Sequence, residues 1–119
     1  MKKVLIVDNS SFMRKFVKKI IEKDGLYTAV EAVDKVTAME MFNSEKPDIV
    51  LLDLNMTEST MDGLEVLTDI LKIAPAAVVF IMSAVGHQKV KDQCIELGAK
   101  GYISKPIDSG VLLKELGEY

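Results

Sequence analysis

Val4-Leu5-Ile6-Val7 runs directly into Asp8. The same cadence returns at Ile49-Val50-Leu51-Leu52 before Asp53, and at Val78-Val79-Phe80-Ile81-Met82 before Ser83. None of these runs alternates with polar residues. A continuous run rich in β-branched residues reads as a strand buried on both faces, as in a parallel sheet covered by helices on either side. Residues 27–33 and 101–104 are two weaker strand candidates.

Helical spacing fills the intervals. Ser10 or Ser11 can cap a first helix whose apolar positions are Met13, Phe16, Val17, Ile20 and Ile21, a stripe at i, i+3, i+4, i+7 and i+8 that Gly25 closes. A second helix over 35–43 turns Val36, Met39 and Phe42 inward and stops before Pro47. A third over 64–73 turns Leu64, Leu67, Ile70 and Leu71 inward and stops before Pro75. A fourth over 87–97 aligns Val90, Cys94 and Leu97 and closes at Gly98. A fifth over 109–116 aligns Leu112, Leu113 and Leu116.

Strand and helix therefore alternate five times. The expected fold class is α/β, a flavodoxin-like doubly wound (βα)5 domain with a five-stranded parallel sheet in the order 2-1-3-4-5. With 119 residues, the chain fits a single domain spanning 1–119, without repeat or linker.

Composition narrows the function classes. Hydrophobic residues make up 49% and charged residues 28%, which excludes intrinsic disorder. A formal net charge of −3 lacks the basic excess of a nucleic-acid binder. No apolar run reaches the roughly 18 residues of a membrane helix. The four apolar residues after Met1-Lys2-Lys3 fall short of the roughly 7–15 of a signal peptide. The lone Cys94 allows no internal disulfide. The expectation is a cytoplasmic, monomeric protein that binds neither nucleic acid nor membrane.

In open α/β sheets, ligands bind outside the carboxyl ends of the strands, beside the switch point, here between strands 1 and 3. Strand 1 ends in Asp8-Asn9, strand 3 in Asp53, strand 4 in Ser83 and strand 5 in Lys105-Pro106. The expected order brings two carboxylates, an amide, a hydroxyl and an ammonium to one rim. Buried carboxylates repel. Lys105 offsets one charge, and a hard divalent ion suits the rest. Mg²⁺ takes one or two protein carboxylates and keeps waters or phosphate oxygens. Such a site suits phosphoryl transfer, with an aspartate as nucleophile.

At this point the chain resembles the receiver domain of two-component response regulators over essentially its whole length, most closely the single-domain, chemotaxis-type members. The residues that carry the resemblance are 4–8, 47–56, Met61-Asp62-Gly63, Ser83-Ala84 and 98–106. The resemblance implies that Asp53 accepts a phosphoryl group from a sensor histidine kinase, with Mg²⁺ as cofactor. It implies that Asp8, Asn9, Asp53 and the main-chain carbonyl of Asn55 hold the metal, and that Ser83 and Lys105 bind the phosphoryl group. Tyr102 corresponds to the aromatic switch residue, and the Lys105–Pro106 bond is expected to be cis. The protein is then a phosphoacceptor rather than an enzyme with a separate substrate. Its downstream target is expected at the helix 4–strand 5–helix 5 face, around Ile95, Tyr102 and Val111.

Two departures from the family pattern bear on the site. Asn9 stands where a second carboxylate is usual, so weaker Mg²⁺ binding is expected. Gly63 follows Asp53 by ten positions rather than the usual eight, so Thr57-Glu58-Ser59-Thr60 reads as a two-residue insertion. These features motivate an alternative, an atypical receiver acting as an interaction module with little phosphorylation. A haloacid-dehalogenase-type phosphatase is disfavoured because Asp8-Asn9-Ser10 lacks the second aspartate of its Asp-x-Asp. Flavin binding is disfavoured because Ser10-Ser11 lacks glycine.

Other residues take plainer readings. His87 is a loop or cap position, and Cys94 a buried, inert thiol. The seven methionines sit mostly at core spacings. Arg14, Lys15, Lys18 and Lys19 form the solvated basic side of the first helix, with docking to an acidic kinase surface as the alternative.

Overall fold

The computed structural model describes residues 1–54, 61–84 and 88–119. Its elements are β1 (Lys2–Val7), α1 (Ser11–Glu22), β2 (Tyr27–Ala32), α2 (Lys35–Glu45), β3 (Ile49–Asp53), α3 (Met61–Ile73), β4 (Val78–Ala84), α4 (Gln88–Leu97), β5 (Gly101–Lys105) and α5 (Ser109–Leu116). The strands pair in parallel in the order β2-β1-β3-β4-β5, as expected.

The unbroken apolar runs are explained by the two cores. Successive strand residues point to opposite faces. Leu5, Val7, Val50, Leu52, Val79 and Ile81 face one core, with Ala38 and Phe42 of α2, Val66, Leu67 and Ile70 of α3, and Cys94 of α4. Val4, Ile6, Ile49, Leu51, Phe80 and Met82 face the other, with Val17 and Ile21 of α1 and Leu112 and Leu116 of α5. A polar residue at any of these strand positions would stand in one core or the other.

Helix faces departed from the expected spacing at four places. Val36 is 66% exposed, because Ala38 and Phe42, one turn apart, carry the buried line of α2. Phe16 is exposed, while its neighbour Val17 is buried with Ile21. Leu97 is also exposed, since α4 ends there and Gly98 turns the chain away with a φ of +118°. Val66 is wholly buried on α3 although the expected stripe omitted it.

Helix ends moved as well. The first helix stops at Glu22, before Gly25, whose N–H donates to the Glu22 carbonyl at 3.2 Å. Its N-terminus is capped by Ser10, whose hydroxyl accepts from the Met13 N–H at 3.3 Å. The second helix runs on to Glu45 and ends at Lys46, which adopts the left-handed conformation. The third begins at Met61, three residues early. Among the described residues, no helix is long and apolar enough to cross a membrane.

Candidate acidic site at the carboxyl rim of the sheet

Register brings the site together. Val7 pairs with Leu52, so Asp8 and Asp53 follow at the same level of adjacent strands. Asp53 pairs with Met82, which puts Ser83 one position further out on β4. Ser83 pairs with Ser104, and Ala84 with Lys105.

Burial singles out the same residues. Among the described residues, Asp8, Asp53 and Ser83 are the buried polar or charged side chains, at 1%, 2% and 1% exposure. Charged side chains are rarely that buried without partners. Lys105 reaches in from β5. Its Nζ donates to Asp53 Oδ1 at 3.1 Å and lies 3.7 Å from Asp8 Oδ2.

The turn after β1 is tied down by three hydrogen bonds. The Ser10 N–H donates to Asp8 Oδ1 at 2.9 Å, the Asp8 N–H donates to the Ala32 carbonyl at 3.1 Å, and Arg14 Nη1 donates to the Asp8 carbonyl at 2.7 Å. Asp8 Oδ2 is buried and makes no hydrogen bond. Burial pushes the Asp8 carboxyl above its ordinary pKa, and the nearby Asp53 charge adds to the rise. The Ser10 N–H and the Lys105 charge act against it.

Two buried carboxylates against one ammonium leave a net negative charge, with one oxygen lacking a donor. These residues fit a hard divalent cation. No group of three or more His, Cys, Asp or Glu side chains gathers among the described residues, so a cation here would rest on Asp8 and Asp53 and complete its shell with water or amide oxygen, the habit of Mg²⁺. Asn9 is exposed beside Asp8. Asn55, the 57–60 insertion and His87 lie outside the described residues.

Tyr102 is half-buried on β5 beside Ile81, with the Lys91 ammonium of α4 5.4 Å from its ring centre. The Lys105–Pro106 peptide is cis. Cys94 is fully buried, and burial pushes its thiol up to about 11. Arg14 corrects its expected place on the solvated basic side. Its side chain is only 12% exposed, bound to Asp8 and, through Nε, to Glu31 Oε1 at 3.1 Å. Its position one turn after Ser10 was the available signal, since that turn lies beneath the loop following β1.

Comparison with known proteins agrees with this layout. The family model of the response regulator receiver domain matches residues 4–117. The chain is 39% identical over 117 residues to the chemotaxis protein CheY of Thermotoga maritima, covering 98% of this chain and 96% of that one. The receiver domain of NtrX from Brucella abortus superposes with a TM-score of 0.90 at 29% identity, covering 97% of this chain and 95% of that one. The chemotaxis protein CheY4 of Vibrio cholerae superposes at 0.89 with 26% identity, covering 99% and 98%. A rim that gathers Asp8, Asp53, Ser83 and Lys105 on this sheet order, together with these likenesses, means that the chain belongs to the response regulator receiver family, a signalling family, and is CheY-like.

Proposed function

We propose that Asp53 is a phosphoacceptor in two-component signalling. The observation that carries this reading is a carboxylate buried to 2% exposure with an ammonium 3.1 Å from Oδ1 and a second buried carboxylate beside it. An Asp53 oxygen attacks the phosphorus of a phosphohistidine, an O–P bond forms, the P–N bond breaks and the imidazole leaves with a proton. Mg²⁺ bound at Asp8, Asp53, Asn9 and Asn55 would supply charge neutralisation for the phosphoryl oxygens. The Lys105 ammonium can turn from the carboxylate to a phosphoryl oxygen. The Ser83 hydroxyl is the second donor. Drawing Ser83 inward vacates space on the side of Tyr102, which biases the α4–β5–α5 face toward a target-binding form. Hydrolysis of the acyl phosphate by water resets the switch.

The α1 side suits the kinase. Phe12 is exposed and stacks on Phe16 with ring centres 6.3 Å apart, and Met13, Pro106 and Ile107 complete an apolar hollow beside Lys105. Lys15 and Lys19 are exposed along the same helix. An apolar seam with a basic rim fits an acidic-edged helical partner. Ile95 of α4 and Val111 of α5, both exposed, offer apolar contacts to the target.

The test is incubation with acetyl phosphate, with and without Mg²⁺. An acid-stable, base-labile phosphate that needs Mg²⁺ and is lost in Asp53→Asn supports the reading. A phosphate that persists in Asp53→Asn overturns it. A second reading, an interaction module with little phosphorylation, is favoured by the neutral Asn9 at the mouth of the site. It predicts little acyl phosphate at millimolar Mg²⁺ with partner binding intact.

A further inference from the structure

We infer that Arg14 is a positioning residue for the acidic turn, with Glu31 as its anchor. This rests on the phosphoacceptor reading for its purpose, but not for its geometry. The side chain is a cation at 12% exposure on a helix whose Lys15 and Lys19 point to solvent. It spends both of its described hydrogen bonds inside. Nη1 meets the Asp8 carbonyl at 2.7 Å, at the short end of the range for a charge-assisted bond, and Nε meets Glu31 at 3.1 Å. Lys18 Nζ stands 3.9 Å from the other Glu31 oxygen, so Glu31 is held from two sides.

Position explains what this does. Ladder pairing on β1 ends at Val7, opposite Ala32, and Glu31 sits opposite Ile6. The Asp8 carbonyl is therefore the first acceptor beyond the ladder. That carbonyl and the Asn9 N–H share one rigid peptide plane. Fixing the carbonyl fixes the direction in which Asn9 leaves the strand. The Ser10 N–H then holds Asp8 Oδ1, leaving Oδ2 toward Lys105. Arg14 thus ties α1 and β2 to the peptide that presents both Asp8 and Asn9. A lysine is a point charge and cannot make both contacts in this geometry.

The experiment uses the full chain and Mg²⁺ alone, with affinity read by titration calorimetry and stability by urea unfolding. Arg14→Ala is expected to weaken Mg²⁺ binding about tenfold, the usual size for loss of an outer partner of a ligand. Arg14→Lys should weaken it nearly as much. Glu31→Ala should act in the same direction, and Glu31→Gln, which keeps an acceptor, should retain most of the affinity. Ile21→Val, a buried truncation on the same helix, should lower the urea midpoint and leave Mg²⁺ affinity alone. Wild-type affinity in Arg14→Ala, or an equal loss in Ile21→Val, overturns the proposal. Failure of wild type to bind millimolar Mg²⁺ would count against the phosphoacceptor reading instead. Amide exchange at Ser10 N–H then decides the positioning role: faster exchange in Arg14→Ala sustains it, and unchanged exchange ends it.

Discussion

Lys105 hydrogen-bonds Asp53 at 3.1 Å although their strands are not neighbours. β4 lies between β3 and β5, so the lysine reaches across the end of the strand that carries Ser83. The contact closes the rim over a hydroxyl and sets the charge balance of the site.

Removing that ammonium should be costly. In Lys105→Met, two buried carboxylates would face each other without a cation. Stability in Mg²⁺-free buffer at neutral pH should fall by about 1–3 kcal/mol, the penalty of an unsatisfied buried group. Adding Asp8→Asn should recover part of the loss. Urea unfolding of the two single variants and the double variant checks this, and strictly additive effects would contradict it.

Asp8→Asn alone should stabilise the Mg²⁺-free protein at neutral pH, because burial penalises the charged carboxylate. The folded pKa lies above the unfolded value of 3.8, so the penalty is present above the folded pKa and fades as pH falls toward the unfolded one. The gain in urea midpoint should therefore shrink as pH falls through the folded pKa and be absent near the unfolded value. The same variant should lose the stabilisation that added Mg²⁺ gives wild type.

Asn9→Asp restores a formal charge beside Asp8. It should tighten Mg²⁺ about tenfold, equivalent to about 1.4 kcal/mol, and lower stability when the metal is chelated. Calorimetric titration with unchanged affinity would show that Asn9 is not what limits binding.

Gly63→Ala pits two effects against each other. Alanine is the better helix former by up to about 1 kcal/mol. A Cβ at this position would stand 2.9 Å from the Leu54 Cα, which is backbone and cannot swing away. Overpacking of about 1–3 kcal/mol should win. The strain falls next to Asp53, so acetyl phosphate labelling should slow together with the drop in urea midpoint.

Much of this was legible in the order of residues. Runs such as Val4–Val7 and Ile49–Leu52 can be satisfied only by burial on both faces. Alternation with helices then dictates a parallel sheet, and the polar residues closing each run mark the rim. Helix faces were less legible. Spacing alone turned Val36 inward, and the small Ala38, a weak hydrophobic signal, took its place because a short side chain lets α2 approach the sheet.

Sequence by itself determined the strands, their covering helices and the residue types available at the carboxyl rim, because periodicity and burial are local consequences of side-chain chemistry. Tertiary structure decided that Lys105 spans β4 to Asp53, that Asp8 Oδ2 is left without a donor, and that Arg14 turns inward to the Asp8 carbonyl instead of facing solvent. Those outcomes depend on distances between segments remote in the chain, or on which way one long side chain turns, and only the packed sheet and helices set them.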